Sequence, residues 1–179
     1  MKIFKKIIKS FLYKIIFFRK MVYIENNCSI SLKSKLLAKN GEIYLDDNVC
    51  IDDYSLIDAE KSKIKIGKNT KIHRLTTIKG GKYVEVNIGS NVLIAEKVSI
   101  FASQHQFKGI DILINSRAVL SKGITIEDDV WIGGGSIVLD GVVIKKGCVI
   151  GAGSIVTKST EEYGIYVGNP AKKIGSRSE

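Results

Sequence analysis

Aliphatic residues recur at every sixth position through most of this 179-residue chain. The clearest run consists of Ile126, Ile132, Val138, Ile144, Ile150 and Val156. An α-helix repeats near 3.6 residues and a simple strand at 2, so neither explains this spacing. A six-residue period is typical of a β-helix in which each hexad forms one short strand and one turn. Three hexads then complete one triangular coil.

The breaks in the repeat support a three-sided coil. Earlier aliphatic positions fall into groups of three that start at Leu45, Ile66 and Ile88, with a spacing of six inside each group. Every interruption follows a third hexad, so all of them leave the prism at the same corner. The longest interruption separates Ile100 from Ile126. We therefore predict an all-β, parallel β-helix of about five coils, with a long loop after the third clear coil.

The register of the hexads predicts three columns of inward-facing side chains. The first column is Leu45, Ile66, Ile88, Ile126 and Ile144; the second is Ile51, Ile72, Ile94, Ile132 and Ile150; the third is Ile57, Ile78, Ile100, Val138 and Val156. Burial of each such side chain stabilises the fold by about 1.5–3 kcal/mol.

The N-terminal residues 1–23 form a separate unit by composition. They contain seven Lys and Arg residues and no acidic residue, whereas the other 21 basic residues nearly balance the 18 acidic ones, which argues against nucleic-acid binding. Lysines interrupt the apolar residues too often for a transmembrane span or a secretory signal. We predict a basic amphipathic helix, which either lies on an anionic membrane or packs on protein. The β-helix domain then covers 24–179, with a C-terminal extension from about 157.

Histidine and cysteine are scarce. The two histidines exclude a site with three His ligands in one chain, and the three cysteines are too far apart in sequence for a CxxC site. No metal site is predicted.

Residues 126–159 read IEDDVWIGGGSIVLDGVVIKKGCVIGAGSIVTKS, and GNPAKKI follows. With a His in the preceding long loop, residues 42–175 resemble the hexapeptide-repeat acyltransferases. The resemblance is closest to sugar O-acetyltransferases of the galactoside, maltose and cell-surface polysaccharide type. It implies a left-handed β-helix, a homotrimer, and acetyl-CoA as co-substrate. It also implies that the C-terminal coils of one subunit bind the CoA arm while the long loop of its neighbour closes over the site.

His105 is the predicted catalytic base. It lies just inside the long loop, and a neutral imidazole is suited to accept a proton from a sugar hydroxyl near neutral pH. The flanking Gln104 and Gln106 are predicted to hydrogen-bond the acceptor. His73, the other histidine, follows inward Ile72 and is predicted to face outward, in a surface or interface role.

The resemblance also implies a set of CoA-binding residues. Trp131 would lie beside the pantetheine arm, a backbone N–H near Gly134 would face the developing oxyanion, and small residues would let the arm approach the backbone. The full set is Trp131, Gly133, Gly134, Gly151, Ala152, Thr157, Lys158, Lys172 and Lys173.

The predicted function is acetyl-CoA-dependent O-acetylation of a sugar, in a cell-surface polysaccharide or its precursor. The alternatives are N-acetylation of an amino-sugar nucleotide and a non-catalytic β-helix scaffold. The expected location is the cytoplasm, with contact to the inner face of the membrane if the N-terminal helix binds lipid.

Overall fold

A computed structural model describes residues 21–178 of the chain. The predicted N-terminal helix lies outside the described residues over 1–20, and the solenoid begins at Val22, before the predicted boundary. The described part is an all-β solenoid of stacked coils, consistent with a left-handed β-helix, in which each coil adds one strand to each of three parallel sheets.

The strands of sheet A open each coil, those of sheet B follow, and those of sheet C close it. Sheet A contains β1 (Val22–Ile24), β4 (Glu42–Leu45), β7 (Lys63–Ile66), β10 (Glu85–Ile88), β15 (Ile124–Ile126) and β18 (Val143–Ile144). Sheet B contains β2 (Ser29–Ile30), β5 (Cys50–Ile51), β8 (Lys71–Ile72), β11 (Leu93–Ile94), β16 (Trp131–Ile132), β19 (Val149–Ile150), β21 (Gly164–Val167) and β22 (Lys172–Ser176). Sheet C contains β3 (Lys35–Leu37), β6 (Leu56–Asp58), β9 (Thr77–Lys79), β12 (Ser99–Phe101), β17 (Ile137–Val138) and β20 (Ile155–Val156).

The three predicted inward columns are confirmed. In sheet A, for example, Ile66 is the register partner of both Leu45 and Ile88. All fifteen predicted side chains are buried, with no more than 3% of their surface exposed. The columns form one continuous apolar core along the axis of the prism.

The structure has six coils where the sequence predicts about five. The additional coil is the first, in which Ile24, Ile30 and Leu36 extend the three columns by one residue each. Ile30 and Leu36 are buried in the same core.

Residues in the left-handed backbone region turn the corners. Between sheets A and B, Asn27, Asn48, Asn69 and Asn91 have φ angles of 58°, 60°, 58° and 58°. Asn is among the residues that accept this region most readily. The side chains also form a ladder, because Asn48 Nδ2 donates to Asn69 Oδ1 at 3.1 Å and Asn69 Nδ2 donates to Asn91 Oδ1 at 3.1 Å.

The long loop forms an arm at the corner where sheet C leads back to sheet A. Strands β13 (Gln104–His105) and β14 (Val119–Leu120) pair antiparallel and make its stem, and a short 3-10 helix (Ile114–Ser116) lies in its outer part.

The C-terminal extension continues sheet B. Strand β21 pairs parallel to β19, and β22 returns antiparallel along the outer edge of β21. The Asn169–Pro170 peptide bond between them is cis. Within residues 21–178, no helix is long or apolar enough to cross a membrane.

We expect Ile78→Ala to lower the free energy of unfolding by about 2–5 kcal/mol, because the removed methyl groups fill the fully buried centre of the third column. Leu32→Ala, at an exposed corner, is the control and should change it by less than about 0.5 kcal/mol. Urea unfolding at one protein concentration measures both. Equal effects of the two substitutions would show that burial in the third column does not stabilise the fold.

Candidate active site

Four of the nine predicted CoA-binding residues, Gly133, Gly134, Gly151 and Ala152, lie at one edge of the prism, the turn between sheets B and C, here called the B–C corner. Its first three positions repeat in every coil. The first position holds Ser31, Asp52, His73, Ala95, Gly133 and Gly151; the second Leu32, Asp53, Arg74, Glu96, Gly134 and Ala152; the third Lys33, Tyr54, Leu75, Lys97, Gly135 and Gly153. In the upper two coils every residue at these positions is Gly or Ala. We call residues 133–135 and 151–153 the glycine window.

Backbone conformation does not explain the glycines at the third position. Gly135 and Gly153 have φ angles of 69° and 68°, but Tyr54, Leu75 and Lys97 hold 62°, 63° and 59° at the same corner with full side chains. A Cβ atom on Gly135 or Gly153 would meet nothing within 4 Å. The two glycines therefore leave a strip of bare, accessible backbone along the outside of the corner.

Gly133 is required for a different reason, because a Cβ atom there would lie 2.5 Å from the backbone nitrogen of Ala152. The coils at the window are thus in close contact. This contact fixes the distance between the backbones of the two coils.

The window presents unpaired backbone donors. Gly133 N donates to Ile150 O at 2.7 Å and Gly135 N to Glu96 O at 2.9 Å. Between them, the N–H of Gly134 has no acceptor among the described residues, and the N–H of Ala152, one coil above, has none either. Fixed N–H groups of this kind can stabilise an oxygen that gains negative charge.

Trp131 forms an apolar wall beside the window. It lies on the outer face of sheet B with half of its surface exposed, in register with Leu93 below and Val149 above. A half-exposed Trp between aliphatic neighbours offers a flat apolar surface to a ligand that passes along the corner.

The turn after β21 closes the upper end of the strip. Gly168 N donates to Ser154 Oγ at 3.1 Å, and Ala171 N donates to Ile155 O at 2.8 Å. These bonds attach the GNPA segment to the uppermost B–C corner.

The other four predicted CoA-binding residues lie outside the glycine window. Thr157 and Lys158 are exposed where β20 ends, at the far edge of sheet C, whereas Lys172 and Lys173 lie on β22. Lys173 Nζ contacts Glu161 Oε2 at 2.7 Å, and this hydrogen bond holds the pKa of Glu161 below its usual value.

His105 and the window lie at opposite edges of sheet C within one chain. His105 is exposed on β13, in register with Val119. The base of the arm is fixed at the corner between sheets C and A, where Lys82 N donates to Ser121 Oγ at 3.1 Å. The window precedes sheet C in its coil, and the arm follows sheet C. One chain therefore does not bring His105 and Gly134 together.

Gln104 and Gln106 flank His105 on the stem of the arm. Gln104 is the register partner of Leu120, and Gln106 N donates to Ala118 O at 3.3 Å. The predicted acceptor-binding residues therefore lie beside the predicted base on the arm.

A polar pair that was not predicted from the sequence lies at the same corner. His73 Nδ1 lies 3.0 Å from Asp52 Oδ2, and both side chains are partly exposed. The two residues occupy the first position of the B–C corner in successive coils. Their separation by one coil repeat is the signal in the sequence that could have found them.

Comparisons with known proteins point to one family. Residues 123–158 match the model for bacterial transferase hexapeptide (six repeats). A Dictyostelium discoideum protein named as an acetyltransferase is 34% identical over 87% of this chain and 80% of its own length. A Mycobacterium tuberculosis protein named as an acetyltransferase is 28% identical over 89% of this chain, which spans 51% of that protein's length.

Two solved structures of acyltransferases are also similar to this chain. A mutant of AntD, an N-acyltransferase from Bacillus cereus, in complex with dTDP and coenzyme A superposes with a TM-score of 0.74 and 29% identity over 87% of this chain and 85% of AntD. A maltose O-acetyltransferase from Clostridium difficile superposes with a TM-score of 0.66 and 30% identity over 74% of this chain and 68% of that enzyme.

The two kinds of glycine at the window should respond differently to substitution. We expect Gly153→Asn to change the free energy of unfolding by less than about 0.5 kcal/mol, since Asn accepts the left-handed region and its side chain has space. Gly133→Ala should cost about 1–3 kcal/mol, because its Cβ would overlap the backbone of Ala152. Thermal unfolding compares the two, and a stable Gly133→Ala variant would contradict the close coil contact.

Proposed function

This chain belongs to the hexapeptide-repeat acetyltransferase family, and we propose that it transfers the acetyl group of acetyl-CoA to a hydroxyl of a sugar. The observation that carries the proposal is the glycine window, with its free N–H at Gly134 beside half-exposed Trp131. The substrate class we propose is a cell-surface polysaccharide or its precursor.

The donor would lie along the window. The pantetheine arm would pass Gly151 and Ala152, where no side chain stands in its way, and would pack against Trp131. The thioester carbonyl would then lie beside the N–H of Gly134, which stabilises the oxyanion as the acceptor attacks. Of the basic residues proposed for the CoA phosphates, Lys172 and Lys158 are exposed, and Lys173 also bonds Glu161.

His105 would act as the general base. Its imidazole takes the proton of the acceptor hydroxyl while that oxygen forms a bond to the thioester carbonyl carbon. When the carbon–sulfur bond breaks, the imidazolium returns the proton to the CoA thiolate. The charges balance without a covalent enzyme intermediate or a metal ion.

The proposed enzyme is a homotrimer. In one chain His105 and the window lie at opposite edges of sheet C, so the two groups can share a substrate only if a second chain supplies one of them. An arm that reaches across to the window of a neighbour satisfies this requirement. Sedimentation equilibrium tests it, and a monomer that is fully active would refute the shared site.

N-acetylation of an amino-sugar nucleotide is the second candidate. It is supported by the likeness to AntD, which covers more of this chain than the likeness to the maltose enzyme does. Maltose and dTDP-4-amino-4,6-dideoxyglucose, a ligand seen with AntD, are therefore the two acceptor probes to compare. Mild base releases acetate from an ester but not from an amide, so the product identifies the reaction.

We place the enzyme in the cytoplasm, where acetyl-CoA is available, and at the inner membrane surface through residues 1–20. This segment combines basic and apolar residues, which favour anionic lipid. Sedimentation with anionic vesicles, with and without residues 1–20, tests the placement. Equal binding of both forms would contradict it.

We expect His105→Ala to reduce kcat by about 10²–10⁴-fold, because the acceptor hydroxyl loses its base. The affinity for CoA should stay unchanged, because CoA is proposed to bind the glycine window and Trp131, whereas His105 is proposed to contact the acceptor hydroxyl. Lys108→Ala, a substitution of an exposed residue of the same arm, is the control. Steady-state transfer assays and CoA titrations measure both quantities, and unchanged turnover would remove His105 from the mechanism.

A further inference from the structure

The Asp52–His73 pair lies on the same corner as the glycine window, in the coils below it. We propose that this pair is part of a binding site for a neutral sugar unit of the acceptor, next to the unit that is acetylated. The inference rests on the proposed function, because it extends the acceptor side of the same site.

Asp52 fixes the orientation of the imidazole. His73 Nδ1 lies 3.0 Å from Asp52 Oδ2, so in the neutral ring Nδ1 carries the hydrogen and donates a hydrogen bond to the carboxylate. Nε2 is then a hydrogen-bond acceptor, and it has no partner among the described residues. An oriented imidazole with a free acceptor atom, partly open to solvent, suits recognition of a hydroxyl group.

Small residues connect this pair to the window. Above His73, the first position of the corner holds Ala95 and then Gly133. Adjacent strands of a sheet are about 4.8 Å apart, so His73 lies about 10 Å below Gly133 along the axis. A disaccharide spans a distance of this order, and no large side chain at the first position interrupts the path.

The position of the donor determines the side from which the acceptor comes. If the pantetheine arm passes Ala152 and the thioester carbonyl lies at Gly134, the donor occupies the upper two coils. The side of the thioester carbonyl that is left for the acceptor then faces the lower coils at this corner, where Glu96 and His73 lie. A sugar unit attached to the reacting unit would extend toward His73.

The neighbouring side chains indicate a neutral ligand. Arg74 and Glu96 occupy the second position of the corner in the same two coils as His73 and Ala95, and both are exposed. Asp53 is already bonded to Ser31 and to Lys33. An arginine, a glutamate and an imidazole acceptor together match the mixed donors and acceptors of sugar hydroxyls better than they match a phosphate, for which positive charge alone would suffice.

The test compares neutral disaccharides with their monosaccharides as acceptors. We expect His73→Ala to raise KM for a disaccharide by about 3- to 10-fold, the effect of one lost hydrogen bond, and to leave KM for the monosaccharide unchanged. The values of kcat and of KM for acetyl-CoA should not change. His73→Gln, which keeps an acceptor oxygen, should restore part of the loss, and Asp52→Asn should raise the disaccharide KM through the loss of imidazole orientation.

Asp47→Asn is the matched control. Asp47 also connects two successive coils, through its ion pair with Lys68, but at the corner between sheets A and B. It should leave both acceptor KM values unchanged, and its thermal stability shows how much of any effect is structural. A disaccharide KM for His73→Ala that equals that of Asp47→Asn would overturn the inference.

The acceptor specificity of the wild-type enzyme separates the two proposals. If it acetylates the dTDP-linked amino sugar but no neutral disaccharide, the neutral sugar site is wrong and acetyl transfer stands. If it acetylates no sugar at all, the proposed function fails, and this inference fails with it.

Discussion

The stacking of inward aliphatic side chains from coil to coil is the interaction on which the rest of the structure depends. Each inward residue is held in register with its counterparts by parallel backbone ladders, as Ile94 is with Ile72 and Ile132. Because the register is exact in every coil, a residue's place within its hexad decides which corner of the prism it occupies. Residues far apart in sequence, such as Glu96 and Gly134, thus become neighbours through the backbone register alone, and no contact between side chains is needed.

The positions that burial controls are the ones that the sequence predicts best. The three columns follow from the spacing of six because only aliphatic residues fill the interior, and all fifteen predicted members are buried. The first coil was missed although Ile24, Ile30 and Leu36 keep the same spacing and lie inside the predicted domain. The Asp52–His73 pair was missed because outward positions follow no periodic rule. Only the register of successive coils shows that these two side chains meet.

The shape of the arm cannot be predicted from the six-residue repeat. Its residues do not fill the prism, so its shape is set by local bonds instead. Arg117 holds the outer part together, with Nε donating to Ile112 O at 3.0 Å and Nη2 donating to Gly109 O at 3.0 Å. Its apolar side chains include Ile110, which is 98% exposed in the single chain. An apolar arm that is left exposed among residues 21–178 is what the proposed closure over a neighbouring chain requires.

In the proposed site, the B–C corner would bind the donor through bare backbone and the acceptor through side chains, and this difference explains what the sequence can and cannot predict. At the third position the same left-handed conformation carries Tyr54, Leu75 and Lys97 in the lower coils and glycine in the upper two. A donor site made of bare backbone excludes added side chains, so it requires small residues at fixed positions. That pattern can be found in the sequence. An acceptor that binds side chains of the lower coils leaves no such pattern, because those positions can hold any polar residue without changing the fold. The chain is accordingly similar in fold to enzymes as different as an N-acyltransferase and a maltose O-acetyltransferase. Its choice of acceptor must be sought among the side chains below the window.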